Sequence, residues 1–389
     1  MPNLPPTDVR LGAPGSRYAL STPALVLDLD ALERNIAAMA TAMRACGRRL
    51  RPHVKSHKSV RIARMQIEAG AAGICCATLD EAEVMAAGGL RGILITSPVT
   101  TAIKIARLLR LLGRAPDTMI VVDDPGNASA LDAAARQAGI VVPVLVDLEL
   151  GFGRTGVPSA DDAETLARHV AGCDALGLKG LQAYGGQLQH TAAHAERLAR
   201  CRRAHGFIGE VVERLASIGM RPEIVTGGGT GTHAIDGAEG PFTEIQAGSY
   251  VFMDAEYRDI EYGNASDWPF GDALFVQAAV ISANVAGSVT TDAGTKSFAL
   301  NGPKPRIVAP GLAGATYEYS GDEHGRVRLG PDMPCPKPGS RVECVVPHCD
   351  PTVVLYDAFH VVRGDALVDV WQVDARGRAG SADPKRRPT

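Results

Sequence analysis

The stretch ALVLDLDALERNI, residues 24–36, reads as a strand followed at once by a helix. ALVLDLD (24–30) is a β-type run. Asp30 is placed to cap the helix, with Glu33 three residues on as its capping-box partner, and Ile36, Met39 and Met43 continue at helical spacing. From there the rhythm repeats. Short apolar runs begin near 51 (RPHV), 73 (GICCAT), 92 (GILITS), 118 (TMIVVDD), 141 (VVPVLVDL), 178 (LKGLQAY), 222 (PEIVTGGG) and 243 (TEIQAGS), with helical stretches between them. Strands that alternate with helices predict parallel βα units, and eight such strands over roughly 200 residues predict a closed (β/α)8 TIM barrel. The strand at 24–30 is then one too many, free to leave the ring and join the rest of the chain.

After about residue 257 the pattern changes. ALFVQAAVISANVAGSVTTDAGTK (273–296), GSRVECVVPH (339–348), TVVLYDAFHVVRG (352–364) and ALVDVWQVDARG (366–377) are β-type runs separated by Gly and Pro turns. The expected organisation is an N-terminal arm (1–22), an α/β barrel (23–256), a mostly β C-terminal domain (257–380) and a disordered tail (381–389).

Composition narrows the function. The 389 residues are 46% hydrophobic with a net charge of −3, so neither nucleic acid nor an anionic membrane has an electrostatic claim. No apolar run approaches the ~20 residues of a membrane span. The N-terminus lacks the basic-then-apolar order of a signal peptide. Eight cysteines without regular spacing fit reduced thiols in a cytoplasmic protein.

Barrel chemistry sits at the C-terminal ends of the strands, and unusual segments fall there. RPHVKSHKS (51–59) places Lys55 and Lys58 among His53 and His57. A lysine partly desolvated in a barrel mouth has a lowered pKa and a nucleophilic amine, though a solvated loop lysine would read the same. VTGGGTGT (225–232) can bring backbone N–H groups and threonine hydroxyls to a phosphate, or be a tight turn. GFGRTGV (151–157) sets Arg154 between glycines, as an anion anchor or a surface arginine. LQAYGGQLQH (181–190) ends a strand on Tyr184 and carries His190 in the next loop. In VVPHCDPT (345–352), His348 and Asp350 are two apart, so on an extended chain they project to one side, with Cys349 on the other. Imidazole and carboxylate suit a divalent metal, but two such residues also occur in ordinary polar turns. A nucleophilic lysine, a phosphate cradle and an arginine at one barrel face are together what pyridoxal phosphate (PLP) needs.

These motifs, with QAGSYVFMD (246–254), DAGTKS (292–297) and DEHG (322–325), resemble in kind and order the fold-type III PLP enzymes, which join an alanine-racemase-like barrel to a β domain. Within them the chain resembles the D-threonine aldolase and D-serine dehydratase-like family, from TPALVLDLDALERNI to VWQVDARG. The resemblance implies that Lys55, not Lys58, carries the cofactor. Arg154 then approaches its phenolic oxygen, Tyr184 lines its ring, Gly228, Gly229, Thr230 and Gly231 hold its phosphate with Tyr250 nearby, and Thr226 belongs to the cofactor-binding set. His190 lies by the substrate's β-hydroxyl, and His348 and Asp350 bind a divalent cation: Mn2+ first, then Mg2+ or Ca2+, with Zn2+ less favoured.

Aldolase-like members carry Asp at the second metal position, where dehydratase-like members tend to carry Cys. The implied reaction is retro-aldol cleavage of a D-β-hydroxy-α-amino acid (D-threonine, D-phenylserine or 3-hydroxy-D-aspartate) to glycine and an aldehyde. The alternative is a dehydratase of D-serine or D-threo-3-hydroxyaspartate on the same scaffold. An amino-acid racemase would need two opposed bases, a non-catalytic PLP-binding protein would not need the β domain, and a PLP-free metal hydrolase would leave Lys55 idle. A homodimer is the family-level expectation.

Overall fold

Short Val/Ile/Leu-rich runs form strands when both their faces can be buried. A computed structural model of the chain describes residues 10–263 and 267–377. It places eight strands in one parallel sheet: β2 (Arg49–Leu50), β3 (Ile74–Cys76), β4 (Ile93–Ile95), β5 (Met119–Val122), β6 (Val142–Leu148), β7 (Leu176–Ala183), β8 (Ile224–Gly227) and β9 (Glu244–Ile245), in the order β2-β9-β8-β7-β6-β5-β4-β3; the first ends before the run expected near 51, which contributes only the bridge at His53. The two ends of this order meet. A parallel bridge joins His53 to Cys75, and Cys75 N–H donates to Pro52 O at 2.8 Å and Ala72 N–H to Leu50 O at 2.8 Å. The ring is therefore the expected barrel.

Side chains alternate across its wall. Ile74 and Cys76 pack outward with the helices, while Cys75, Leu94, Met119, Val121 and Leu145 pack on one another inside. One end of the interior is ionic. Arg51 makes a two-pronged contact with Glu244 (Nε–Oε2 2.6 Å, Nη2–Oε1 3.0 Å) and also donates to Gly92 O. Gly73 and Gly92 give it room: a Cβ on Gly73 would lie 2.2 Å from Arg51 Nη1. The pair ties β2 to β9, a ladder of only two residue pairs, and to the residue before β4. Removing one partner of such a pair strands a buried charge at a cost of about 3–5 kcal/mol. Glu244 keeps a second partner, Arg49 Nη2 at 3.0 Å from Oε1, so Arg51→Ala should lower the unfolding free energy in urea denaturation toward the lower end of that range; an unchanged midpoint would show that this ladder does not depend on it.

The strand β1 (Ala24–Asp28) lies outside the ring. It pairs antiparallel with β10 (Leu274–Val285) and parallel with β16 (Ala358–Arg363), at the centre of the second sheet. That sheet also holds β11 (Ser288–Thr291), β12 (Arg306–Ile307), β13 (Thr316–Tyr319), β14 (Gly325–Arg328), β15 (Arg341–Val345) and β17 (Ala366–Gln372). One expectation fails locally. The strand ends at Asp28, not Asp30, and it is Asp28 that caps the helix Leu29–Ala45, accepting from Ala31 N–H at 2.9 Å. The last rung, Asp28 N–H to Ala273 O at 2.8 Å, fixes where the chain leaves the sheet. Asp30 and Glu33 instead meet Arg363.

Residues 10–22 of the N-terminal arm are tied to the β sheet, with Gly12 N–H donating to Leu367 O at 2.7 Å and Arg17 gripping Glu343 at 2.9 and 2.8 Å. Residues 1–9 and the expected tail at 381–389 lie outside the described residues. No helix among the described residues is long and apolar enough to cross a membrane.

Candidate active site

Lys55 follows β2 on a single turn of 3-10 helix, Val54–Ser56. His53 caps that turn: its Nδ1 accepts the Lys55 N–H at 3.3 Å, so its proton sits on Nε2, 3.1 Å from Thr96 Oγ1. Burial holds the His53 ring well below its usual pKa and therefore neutral. The Lys55 amine lies 3.1 Å from Asp350 Oδ1, with 40% of the side chain still accessible. Lys58 turns away, in the left-handed region at φ 51°, and closes an ion pair with Glu81. His57 is fully buried and pushed down to about 3 by that burial. The sequence-based expectation of a depressed Lys55 pKa is reversed. The Asp350 charge, the largest influence, outweighs desolvation and raises it.

The remaining strand ends face the same space. After β6, the N–H groups of Gly151, Phe152 and Gly153 converge on the Glu149 carboxylate, which winds the loop about its own acid. Gly151 and Gly153 supply the positive φ this needs, 86° and 69°. The loop presents Arg154, whose guanidinium lies 5.4 Å from the Phe152 ring centre and 5.3 Å from that of Tyr184 at the end of β7.

After β8, the glycines are packed to contact. A Cβ on Gly229 would come within 2.5 Å of Gln189 Oε1, and one on Gly231 within 2.0 Å of Gln189 O. The Gly229 and Gly231 N–H groups are already used, the first on Thr232 Oγ1 (3.2 Å) within the turn and the second on Gln189 Oε1 (3.0 Å) from the segment after β7. Thr230 Oγ1 accepts the Tyr250 N–H at 3.0 Å, which leaves its own proton to give. The Tyr250 hydroxyl faces away, receiving Gln66 Nε2 at 3.0 Å. Thr226 is buried, its hydroxyl 3.1 Å from Gln246 Nε2.

His348 and Asp350 reach this face from the β domain, but not along an extended chain. Residues Cys349–Val353 form a short helix with His348 as its cap, and the helix brings His348 Nε2 to 3.5 Å from Asp350 Oδ2. Cys349 does not point clear of the pair; its Sγ is 3.4 Å from Asp350 Oδ2. Burial opposes charge on both residues. Lys55 and His348 nevertheless hold Asp350 well below the usual carboxylate range, and Asp350 with nearby acids raises His348. His190, capping the helix Gly186–Gln189, has its ring centre 6.4 Å from that of His348 and 4.8 Å from that of Tyr257. Among the described residues, no group of three or more His, Cys, Asp or Glu is arranged to hold a metal ion.

Comparison with known proteins agrees with this fold. Residues 27–256 match the alanine racemase N-terminal domain and residues 273–362 a putative serine dehydratase domain. The chain belongs to this alanine-racemase-like family of PLP enzymes. It is 39% identical to a D-threonine aldolase of Arthrobacter sp., over 94% of this chain and 95% of that one. It is 36% identical to a 3-hydroxy-D-aspartate aldolase of Paracoccus denitrificans, over 92% and 93%. A D-threo-3-hydroxyaspartate dehydratase of Delftia sp. is 30% identical, over 91% and 97%. Among solved structures, the D-threonine aldolase of Filomicrobium marinum superposes with a TM-score of 0.89 at 39% identity, over 94% of this chain and 98% of that one.

The alanine-racemase-like site fits PLP on its own contacts. It offers an amine on Lys55, a turn tightened by glycines, the Thr230 hydroxyl proton, and Gly228 and Thr230 N–H groups that the turn itself does not use.

Sequence reasoning missed the floor beneath this site. Gln182 Nε2 donates to Thr96 O at 3.1 Å and Asp147 Oδ1 at 2.9 Å, and Gln246 Nε2 donates to Gln182 Oε1 at 3.2 Å. These residues alternate with apolar ones in β-type runs, and that period-2 alternation was the one available signal. Burial pushes the Asp147 carboxyl up to about 6 from 3.8, against the hydrogen bonds of Gln182 and Thr155. A carboxyl raised on folding contributes stability below its unfolded pKa and loses it as pH rises through the folded value, here from about 4 to 6. Asp147→Asn removes that loss. The variant should gain on the wild type by up to ~3 kcal/mol in unfolding free energy between pH 4 and pH 7. A pH-independent difference in denaturation midpoints would count against it.

Proposed function

We propose that the chain is a PLP- and divalent-metal-dependent lyase of the D-threonine aldolase type, cleaving D-β-hydroxy-α-amino acids to glycine and an aldehyde. The observation that carries this reading is the meeting of Lys55 with Asp350 at 3.1 Å, which puts the cofactor lysine and the His348–Asp350 pair at one point. A metal suits the pair. The donors are a neutral-capable imidazole and a carboxylate held ionised, and around them Glu256 Oε2 and His190 Nδ1 are buried without hydrogen-bond partners. A hard carboxylate at 350 favours Mn2+, then Mg2+ or Ca2+, over zinc.

When bound, PLP supplies the electron sink for breaking Cα–Cβ, and a divalent cation acidifies the β-hydroxyl. The chain does the rest. Lys55 would hold the cofactor through its amine. Thr230 with the Gly228 turn grips the phosphate, and Arg154, braced on the Phe152 and Tyr184 rings, orients the phenolic edge. His190 takes the β-hydroxyl proton; burial keeps its pKa low and its ring neutral, as a base must be. Asp350 and His348 would hold the cation. The eight cysteines are all unpaired, which fits reduced thiols in the cytoplasm, and a homodimer is the expected assembly.

The dehydratase alternative shares the cofactor residues and rests on the Delftia relative. Product analysis separates the two. Purified protein with PLP, Mn2+ and D-threonine, then 3-hydroxy-D-aspartate, should give glycine and an aldehyde, and chelation should abolish both. Ammonia with a 2-oxo acid would overturn the aldolase reading.

A further inference from the structure

Glu256 belongs to none of the motifs that identify the site, yet it stands between two of its imidazoles. Its Oε1 lies 3.5 Å from His190 Nδ1, and its Oε2 lies 3.5 Å from His348 Nδ1. Its position is set by the metal-pair segment itself. Asp254 caps the short helix Ala255–Arg258 through Tyr257 N–H at 3.0 Å, and its other oxygen takes the Cys349 N–H at 2.9 Å. Ala255 and Glu256 N–H groups donate to Val346 O and Pro347 O at 3.0 and 3.2 Å. The helix that carries Glu256 is thus stitched to the chain that carries His348.

A carboxylate can only accept, so an imidazole facing it at Nδ1 is selected with its proton there and its lone pair on Nε2. For His348 the freed Nε2 is the atom nearest Asp350, at 3.5 Å. The Asn301 amide presents its NH2 to His348 Nδ1 at 2.7 Å, which favours the opposite tautomer. An amide can turn its oxygen to a proton on Nδ1; a carboxylate has no alternative. At 3.5 Å both Glu256 contacts are longer than a made hydrogen bond, and His190 Nδ1 and Glu256 Oε2 are left buried and unpaired. Closing each gap by a few tenths of an ångström satisfies both, as catalytic contacts do when a site fills.

We infer that Glu256 is a positioning residue that sets two tautomers at once, freeing Nε2 of His190 as the base and Nε2 of His348 as the metal donor. This rests on the aldolase reading and its metal. Ligands oriented this way lose about 10–100-fold in metal affinity or activity when the orienting group is removed.

The test uses PLP-loaded enzyme, with Mn2+ binding followed by electron paramagnetic resonance and kinetics run at saturating Mn2+. Glu256→Gln offers one acceptor to two imidazoles. It should weaken Mn2+ by about 10–100-fold and, with metal saturating, lower kcat by a similar factor with KM little changed. The visible absorbance of the lysine-linked cofactor should stay as in the wild type and report an intact site. Glu256→Asp keeps the carboxylate and should fall between the two. Wild-type Mn2+ affinity and kcat in Glu256→Gln would overturn the role of Glu256 alone. A wild type that binds no Mn2+ would overturn it together with the metal reading.

Discussion

Lys55→Ala should give a folded protein that carries no covalently linked PLP and cleaves D-threonine on the order of 10⁴-fold more slowly or worse, the scale of loss when a residue bonded to the reacting system is deleted. Geometry makes Lys55 the candidate and leaves Lys58 no route. The Lys55 amine faces the strand ends beside Asp350, whereas the Lys58 amine is engaged by Glu81, which also accepts Ala77 N–H at 2.7 Å. The Lys58 backbone is occupied too, its carbonyl receiving Ala375 N–H at 2.9 Å. Borohydride reduction followed by peptide mass analysis should lock PLP onto the wild type and Lys58→Ala, and not onto Lys55→Ala. Since the two lysines are only three residues apart, the variants and not the peptide alone decide. Cofactor trapped on Lys55→Ala would move the assignment elsewhere. Losing Lys55 also leaves Asp350 buried beside His348 without its nearest cation, so some loss of stability should accompany the loss of activity.

What the sequence made legible follows from local physics. Parallel barrel strands are buried on both faces, so they stand out as runs of Val, Ile and Leu, and their C-terminal ends mark the active face without a structure. Lys55, Arg154, Tyr184 and the 228–231 turn lie at strand ends for that reason. Cap placement was less legible, because Asp28 and Asp30 are chemically alike and the choice is made by a tertiary contact, the final rung to Ala273. The same limit explains His348 and Asp350. Alternation on an extended chain put His348 and Asp350 on one side, and they do meet, but through a short helix that Pro351 and Thr352 continue. Tyr250 was expected near the phosphate turn; there its N–H donates to Thr230, while its hydroxyl accepts from Gln66. Glu256 was invisible because an acid in the first turn of a helix ordinarily signals only the helix. Its meaning comes from the Asp254–Cys349 stitch, between residues far apart in the chain.

Asp350→Asn should separate the two halves of the site. An amide keeps the size of the carboxylate and removes its charge, so PLP should remain bound while Mn2+ affinity falls by about 10–100-fold or more and the residual activity ceases to respond to chelation. The second effect has a definite sign. The Asp350 charge is the largest influence raising the Lys55 pKa, with burial opposing it. Without that charge, desolvation is left to act with the weaker influences of Tyr184 and Cys349, and the Lys55 pKa falls. A larger fraction of Lys55 is then unprotonated near neutral pH, the form that can attack the cofactor's aldehyde. Capture of added PLP by the stripped protein should therefore be faster in Asp350→Asn than in the wild type at neutral pH, and the two should converge as pH rises. Weakened metal with quickened capture is a pairing that general damage to the fold does not produce. An unaltered Mn2+ titration would place the metal elsewhere, and unaltered capture would mean that the 3.1 Å contact of Lys55 with Asp350 does not control the lysine's charge.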